Sequence, residues 1–279
     1  MESIDSIFAW QLKTSSRYEG HGFETRCRKI EAELPDFNVN VFDVISSTNT
    51  IAKQQIQQAS DKQQLVPGLV VANEQTAGYG RQDRAFYSPA DVGIYMTVMT
   101  QVTTQQWQHP ETLTLNTAVA IQKVIQSELG ISLGIKWVND LYLHERKVVG
   151  ILVETVQPPT NGNLGFVVIG MGINLQARDI PAQLQTKMGG LTTDSVDRER
   201  LISQLSQACL AAIQIDFSQL RQQYLQNCFI SQEEVTLQHG HDSIIGKVVD
   251  VDDYGRIVLA TQYGRQAYNA GEITKVNLS

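Results

Sequence analysis

A glycine-rich stretch with two arginines carries the residue types that are best suited to binding chemistry. Gly78 and Gly80 flank Tyr79, and Arg81 and Arg84 follow within four residues. Glycine lets the backbone turn sharply and lets a ligand approach the main chain closely. Arginine presents a planar fork of donors that suits phosphate and carboxylate. Exposed backbone N–H groups beside two guanidinium groups therefore predict a loop that binds an anion.

Two other interpretations of this stretch compete with that of a binding loop. The spacing Gly78-x-Gly80 nearly matches the dinucleotide fingerprint, but Asp83 replaces the third glycine and no helix opens behind it, so that interpretation fails. The other is a long hairpin loop with solvated arginines, joining strands predicted at 68–72 and 93–99. The loop alone does not decide against this second interpretation. Residues further along the chain favour binding.

A second group of polar side chains opens a predicted helix. An alternating strand at 39–45 precedes Ser47, Thr48 and Asn49, and apolar residues at helical spacing follow from Ile51. Serine and threonine are good helix N-caps, which is the structural interpretation. The same hydroxyl and amide groups at a helix N-terminus can hold polar ligand groups. The two roles are compatible, and both stay open.

Two lysines lie in a hairpin that is predicted over residues 135–154. Lys136 is near the start of the first strand, and Lys147 opens the second. Asn139 and Asp140 fall within the first strand, where apolar or β-branched residues are usual, and this indicates a bulge or a site. For Lys147 alone, a solvated lysine at a strand end is the commoner explanation.

A third polar position follows another predicted strand, at 164–169. The strand runs into Gly170-Met-Gly-Ile-Asn174, whose small residues allow close approach of a ligand to the backbone. Asn174 can pair with a polar ring edge, because its amide both donates and accepts.

Composition limits the class of protein. The chain has 279 residues and a formal net charge of −7, which argues against broad nucleic-acid binding. Three cysteines without a CxxC pair indicate inert thiols in a reducing compartment. No leader-like segment or membrane-length apolar run is visible, so we expect a cytoplasmic protein that contacts neither membrane nor DNA. The sequence also lacks HExxH, GxSxG and cysteine–histidine metal patterns, so we expect no metal held by the protein itself.

The order of elements predicts an α/β region followed by a small β-domain. Helices are expected at 111–129 and 197–217, and helical residues continue at 218–229. After Ser231, short strands separated by turn signals predict a small β-barrel. The predicted domains are an N-terminal extension, 1–38, a catalytic domain, 39–230, and a C-terminal domain, 231–279.

Six segments, in this order, resemble the motifs of biotin protein ligases: Ser47-Thr-Asn49, Gln75-Thr-Ala-Gly-Tyr-Gly-Arg81, Lys136-Trp-Val-Asn-Asp140, Lys147-Val-Val-Gly-Ile-Leu-Val-Glu154, Gly170-Met-Gly-Ile-Asn174 and Ala270-Gly-Glu-Ile273. The resemblance covers the chain from about residue 40 onwards, and six motifs in register are more specific than any one alone. It implies an α/β (α+β) fold with a mixed sheet, like the catalytic domain of class II aminoacyl-tRNA synthetases, followed by an SH3-like barrel.

The resemblance also implies a reaction in two steps. The biotin carboxylate attacks the α-phosphate of ATP, which is used with Mg²⁺, and gives biotinyl-5′-AMP and pyrophosphate. A lysine amine of a biotin carboxyl carrier protein then attacks the mixed anhydride and releases AMP. By the same resemblance, Arg81 retains the intermediate, and Lys147 bridges the carboxylate and the α-phosphate. A homodimer is one assembly that such a protein can adopt.

The matching motifs assign residues to three sets. The implied catalytic residues are Arg81 and Lys147. The implied biotin-binding residues are Ser47, Thr48, Asn49, Gln75, Tyr79, Gly80, Arg81, Lys147, Gly150, Leu152 and Gly170. The implied ATP- or adenylate-binding residues are Gly78, Arg81, Arg84, Phe86, Lys136, Asn139, Asp140 and Asn174.

Four positions depart from the family pattern. Members commonly carry arginine, glycine and proline where this chain has Tyr79, Asp83 and Val138, and a small residue where it has Met171. The loop thus loses positive charge, and we expect Asp83 to tether Arg81 or Arg84, and Met171 to tighten the pocket.

Three other functions remain as alternatives. A ligase that also represses transcription requires an intact winged helix-turn-helix, and a segment of 38 residues is short for its three helices and hairpin. A lipoate or octanoate transferase of related fold is disfavoured by the polar set at 47–49 with Gln75, which suits a ureido ring better than an alkyl chain. The last is a nucleotide-binding adaptor without catalysis, which pyrophosphate release dependent on biotin and ATP would exclude.

Overall fold

A large mixed sheet is the framework of the molecule. The computed structural model describes residues 17–18, 23–59, 66–157, 164–178 and 180–277. Within them, eight strands form this sheet: β1 (Arg17–Tyr18), β2 (Asn38–Ile45), β3 (Gly68–Gln75), β4 (Gly93–Val102), β5 (Gly134–Lys136), β6 (Asp140–Leu143), β7 (Arg146–Gln157) and β8 (Gly165–Asn174). Their order is β1-β2-β3-β4-β8-β7-β6-β5. The β1–β2 and β2–β3 pairs are parallel, and the other pairs are antiparallel.

Helices cover both faces of this sheet. The described α-helices are α1 (Phe23–Glu33), α2 (Thr48–Gln58), α3 (Thr104–Gln108), α4 (Pro110–Leu129), α5 (Arg198–Ala212) and α6 (Phe217–Asn227). Helix α4 has more buried residues than any other described helix. It packs on β7 and contacts α5 and α6 in the main core. Helix α2 lies on the other face, where Ala52 and Ile56 pack with Val70 and Met99. Central strands are therefore buried on both sides, as β4 shows over almost its whole length.

The C-terminal residues form a second, five-stranded antiparallel sheet. Its strands are β9 (Glu234–His239), β10 (Asp242–Val251), β11 (Ile257–Thr261), β12 (Gly264–Tyr268) and β13 (Glu272–Asn277). Their order is β12-β11-β10-β9-β13. The predicted fold class is thereby confirmed, a mixed α/β unit followed by a small antiparallel β unit. The domain limits at residues 38 and 231 remain predictions.

Local sequence signals explain most element ends. Gly130 ends α4 with φ 69°, a left-handed conformation that glycine adopts without steric cost. The helix predicted over 197–217 is confirmed at its start, where Asp197 is the N-cap of α5, but its predicted end was wrong. Helix α5 ends at Ala212, and α6 begins at Phe217 with Asp216 as its N-cap. Of the predicted N-terminal extension, residues 1–16 and 19–22 lie outside the described residues, and Phe23–Glu33 form α1.

The hairpin predicted over 135–154 differs from the observed structure at its centre. The chain leaves β5 after Lys136, turns through Trp137–Asn139 and starts β6 at Asp140, so Asn139 and Asp140 lie at a turn and not within a continuous strand. The Trp137–Val138 peptide bond in this turn is cis. Trp137 Nε1 donates to the Gly255 carbonyl oxygen at 3.0 Å, which ties the turn to the second sheet.

No helix among the described residues combines the length and the apolar character that a membrane crossing would require.

Candidate active site

A cavity of about 290 Å³ lies where the large sheet, the 76–86 loop and the second sheet meet. Most residues singled out from the sequence line it: Ser47, Thr48, Asn49, Gln75, Tyr79, Gly80, Arg81, Arg84, Phe86, Lys136, Asn139, Asp140, Lys147, Gly150, Leu152 and Gly170. Gly78 and Asn174 do not line it. The structure thus brings together side chains that are more than one hundred residues apart in the sequence.

The start of α2 forms a polar wall of this cavity. Ser47 is the N-cap, and its side chain accepts from the Thr50 N–H. The N–H and Oγ1 of Thr48 both donate to Gln75 Oε1, at 2.8 and 3.1 Å. Gln75 Nε2 in turn donates to Ser88 Oγ at 2.9 Å. The predicted capping is confirmed, and Gln75 is held from both ends with one amide N–H left for a ligand.

The 76–86 loop is closed on itself by backbone hydrogen bonds. Gly80 N–H donates to the Arg84 carbonyl oxygen, and Phe86 N–H donates to that of Gly78, both at 2.8 Å. A Cβ atom at Gly78 would lie 2.8 Å from both the Phe86 carbonyl oxygen and Ser88 Oγ. Gly78 therefore permits the close packing at the base of the loop, whereas Tyr79 and Gly80 line the cavity.

The tip of the loop carries the departure at Asp83. Gln82 and Asp83 have φ values of 57° and 53°, a left-handed conformation that is uncommon for residues other than glycine. The expected tether from Asp83 to an arginine was wrong for Arg84. Arg84 forms a bidentate pair with Glu272 of β13, at 2.7 and 2.6 Å, and also donates to Gln82 Oε1. This pair joins the loop to the second sheet.

One further cation of the cavity has a carboxylate partner. Lys147 Nζ lies 2.6 Å from Asp140 Oδ1, and both side chains are about three-quarters buried. The commoner explanation for Lys147, a solvated strand end, therefore does not hold. The pair places a positive charge at the cavity wall, with its long side chain already ordered.

Two cations have no such partner. Within the described part of the chain, no carboxylate lies within ion-pair distance of Arg81 or Lys136. Burial lowers the pKa of both groups, and the negative field of Asp140 and Glu272 opposes that effect. Desolvated cations that lack a nearby anion gain most when a ligand supplies one. The arrangement favours a ligand that carries several negative charges.

Asn139 and Asn174 were both predicted to face a nucleotide, and they lie in different places. Asn139 borders the cavity, and its Nδ2 donates to the Ile151 carbonyl oxygen at 3.1 Å. Asn174 is 7% exposed at the end of β8 and lies outside the cavity, in a small crevice beside Tyr87 and Val92. Asn174 follows Gly172 by two positions on the same strand, beyond the residues of β8 that line the cavity.

The departures at Val138 and Met171 concern the core. Val138 is 6% exposed and belongs to the main core. Met171 borders the cavity, but its buried side chain is also part of that core. Successive residues of a strand face opposite sides, so the Met171 side chain points away from the face that carries Gly170 and Gly172. Its bulk fills the core, and its effect on the size of the pocket stays a prediction.

Three glycines form the floor of the cavity. In the register of β7 and β8, Gly150 pairs with Gly172, and Leu152 pairs with Gly170. A Cβ at Gly172 would lie 2.4 Å from the end of the Phe86 ring, and one at Gly170 would lie 2.2 Å from Asn49 Oδ1. The floor therefore leads from polar Asn49 to Phe86 and the Lys147–Asp140 pair, which gives the cavity a polar and a cationic end.

We expect Gly170→Ala to lower the free energy of unfolding by about 1–3 kcal/mol, the usual cost of overpacking. The added methyl group collides with Asn49, whose side chain is fixed by hydrogen bonds to Thr97 and Glu154. Gly172→Ala on the same strand is the matched control, since it meets only the end of the Phe86 ring. Urea unfolding measures both. Equal losses for the two variants would contradict the assignment of a rigid Asn49.

Sequence reasoning missed several residues at the cavity. Gly172, Tyr142, Trp137, Ile151 and the 271–273 segment line it as well. Two-residue periodicity from Gly170 could have found Gly172. The 270–273 motif was recognised, but nothing local connects it to a loop almost two hundred residues earlier.

Comparison with known proteins finds family models that match two parts of the chain. Residues 41–174 match the model described as "Biotin/lipoate A/B protein ligase family", and residues 230–276 match "Biotin protein ligase C terminal domain". The chain is 30% identical over 244 residues to the bifunctional ligase/repressor BirA of Bacillus spizizenii, covering 82% of this chain and 71% of that protein. It is 28% identical over 241 residues to a biotin--[acetyl-CoA-carboxylase] ligase of Mycobacterium tuberculosis, covering 83% and 87%.

Solved structures extend the similarity to the fold. A biotin protein ligase from Aquifex aeolicus, solved in complex with biotin and ATP, superimposes with a TM-score of 0.71. The identity is 22%, and the match covers 86% of this chain and 99% of that one. At this level of identity, the likeness supports the architecture of both sheets.

Proposed function

Because the chain belongs to the biotin protein ligase family, we propose that it activates biotin with ATP as biotinyl-5′-AMP and transfers the biotinyl group to a lysine of a biotin carboxyl carrier protein. The observation that carries this proposal is the two-ended cavity. Thr48, Asn49 and Gln75 form one end, and Arg81, Lys136 and Lys147 converge on the other. Such a site suits a substrate with a polar ring and a carboxylate, placed beside a polyphosphate.

In the first step, the biotin carboxylate attacks the α-phosphorus of ATP, and the bond to the bridging oxygen of pyrophosphate breaks. Both reactants are anions, so bringing them together requires positive charge at the point of contact. We assign this role to Lys147, whose ammonium group is already ordered by Asp140. Arg81 and Lys136 hold the phosphate charge. Asn139 and Asp140 help to place the nucleotide together with the Mg²⁺ that accompanies it.

In the second step, the ε-amine of the carrier lysine attacks the carbonyl carbon of the mixed anhydride. An amide forms, AMP leaves, and the amine loses its proton. The intermediate is reactive towards any amine, so it must stay bound until the carrier arrives. We assign its retention to Arg81 and to the closed 76–86 loop.

The donor set at the polar end distinguishes biotin from lipoate. Gln75 retains one free N–H, and Thr48 retains acceptor capacity on its hydroxyl oxygen. A ureido ring offers both N–H donors and a carbonyl acceptor, whereas an alkyl chain with a dithiolane offers neither. A site built around polar partners rejects a ligand that lacks them, because its buried groups would lose their hydrogen bonds.

We propose that the reaction takes place in the cytoplasm. Three free, buried cysteines suit a reducing compartment.

The proposal predicts pyrophosphate release that requires biotin and ATP together. The purified protein is incubated with each substrate alone and with both, and mass spectrometry identifies the adenylate. Lipoate in place of biotin serves as the control substrate. Pyrophosphate release with lipoate but not with biotin would replace this proposal by a lipoate ligase, and no release with either would leave only a nucleotide-binding protein.

A further inference from the structure

Behind the polar end of the cavity lies a carboxylate that the roles assigned above do not use. Glu154 is on β7, two residues beyond Leu152 and four beyond Gly150, so it faces the same side of the sheet as both. Leu152 and Gly150 line the cavity, and Glu154 does not. Its side chain is 24% exposed, and it is surrounded by donors from two other parts of the chain.

Three side chains donate to the Glu154 carboxylate. Oε2 accepts from Asn49 Nδ2 and from Tyr79 Oη, each at 2.8 Å. Oε1 accepts from Lys53 Nζ at 2.7 Å, one turn along α2 from Asn49. Lys53 Nζ also lies 5.4 Å from the centre of the Tyr79 ring. The carboxylate thereby joins the helix that forms the polar wall to the loop that covers the cavity.

We propose that Glu154 is a positioning residue for biotin binding, because it fixes Asn49 on the cavity wall and Tyr79 in the loop relative to each other before biotin enters. The inference rests on the proposed function, since it concerns how this site recognises its substrate. Glu154 acts through its two partners and does not itself reach the cavity.

For Asn49, the consequence is a fixed amide orientation. A carboxylate only accepts hydrogen bonds, so the Asn49 NH₂ group must face Glu154. On the other side, Asn49 Oδ1 accepts from Thr97 Oγ1 at 2.6 Å and occupies the space that a Cβ at Gly170 would need. The second N–H points to the Leu152 carbonyl oxygen at 3.4 Å. Asn49 Oδ1 therefore keeps one lone pair for a ligand, and this lone pair can accept from an N–H group such as that of a ureido ring.

For Tyr79, the consequence is an anchored loop. Tyr79 lies between Gly78 and Gly80, where the loop would otherwise be most free to move. Burial raises the pKa of Tyr79, so its hydroxyl group is a donor at neutral pH. Burial alone would lower the pKa of Lys53, but its hydrogen bonds to Glu154 and Tyr79 raise it, so Lys53 remains charged. The neutral Tyr79 hydroxyl group thus anchors the loop to the Glu154 carboxylate, and the positive charge of Lys53 neutralises that carboxylate.

The kinetic test uses Glu154→Gln, which keeps the shape of the side chain but cannot accept from all three donors. We expect the KM for biotin, measured by pyrophosphate release at saturating ATP, to rise about tenfold, while kcat changes less than threefold. Tyr79→Phe removes one hydroxyl group and should raise the KM by a smaller factor. The double variant should be no worse than Glu154→Gln, because both changes remove the same bond.

Glu145→Gln in the exposed β6–β7 turn is the matched control, and its KM should equal that of the wild type. An unchanged KM in Glu154→Gln, an equal fall in kcat, or multiplicative effects in the double variant would overturn the positioning role. A wild-type protein without biotin-dependent pyrophosphate release would refute the proposed function instead. In that case, hydrogen exchange of the ligand-free protein still tests the positioning role of Glu154. The Gly80 and Phe86 amides should lose protection in Glu154→Gln and not in Glu145→Gln.

Discussion

Replacing Lys147 with alanine is expected to lower kcat/KM for biotin activation by at least about a hundredfold, or roughly 3 kcal/mol of transition-state stabilisation. Charge accumulates between the carboxylate and the α-phosphate as the new bond forms, and a donor aimed at that point acts mostly in the transition state. Lys147 is suited to this because Asp140 Oδ1, 2.6 Å away, already orders its side chain in a largely buried site. Pyrophosphate release at varied biotin and ATP concentrations measures the loss.

Lys147→Ala also leaves Asp140 without its partner, so folding must be measured beside catalysis. Lys147→Met keeps the length of the side chain and separates lost packing from lost charge. Lys123→Ala, on the exposed face of α4, is the matched control and should leave kcat/KM unchanged. A change of less than threefold in kcat/KM would remove Lys147 from the catalytic residues.

Replacing Arg81 with glycine is expected to release biotinyl-5′-AMP into solution and to biotinylate lysines of bystander proteins. Arg81 is mostly buried beside the cavity, and no carboxylate of the described residues pairs with it, so its full interaction is available to the adenylate phosphate. Charge-assisted hydrogen bonds contribute about 1.5–3 kcal/mol, which corresponds to dissociation that is roughly ten to a hundred times faster. Adenylate recovered after rapid filtration gives this rate, and labelling of added albumin gives the loss of selectivity.

Glycine at this position also frees the backbone, so Arg81→Ala must behave in the same way if the guanidinium group is responsible. Arg265→Gly, in the exposed strand β12, is the control for a general effect of losing an arginine. Unchanged selectivity in both Arg81 variants would refute the retention role.

The elements that surround the site were predictable because their signals are local. Ser47 as N-cap, Gly130 as the end of α4, and the strands at 39–45 and 93–99 each follow from a few neighbouring residues. The short strands after residue 231 were visible for the same reason. Polar residues next to such signals, including Thr48 and Gln75, could therefore be selected before the structure was known.

The errors arose where a contact joins distant segments. Asn139 and Asp140 were predicted within a strand, whereas the chain turns there, and the turn is held by a hydrogen bond from Trp137 to Gly255. Glu272 pairs with Arg84 across 188 positions, and no local pattern gives that distance. Glu154 was visible only as the last residue of a motif, because its role depends on donors from α2 and from the loop. Asn174 lies beyond this cavity, beside Tyr87 and Val92, and its contact with a nucleotide stays a prediction.

One wall of the cavity comes from the 271–273 segment of the second sheet, and Arg84 and Trp137 are both fastened to that sheet. During synthesis on the ribosome, the segments that carry the cations emerge long before this wall does. A nascent chain therefore cannot enclose its substrates until the last strands have been made and have folded. The fully lined cavity is therefore a feature of the folded chain with both sheets in place.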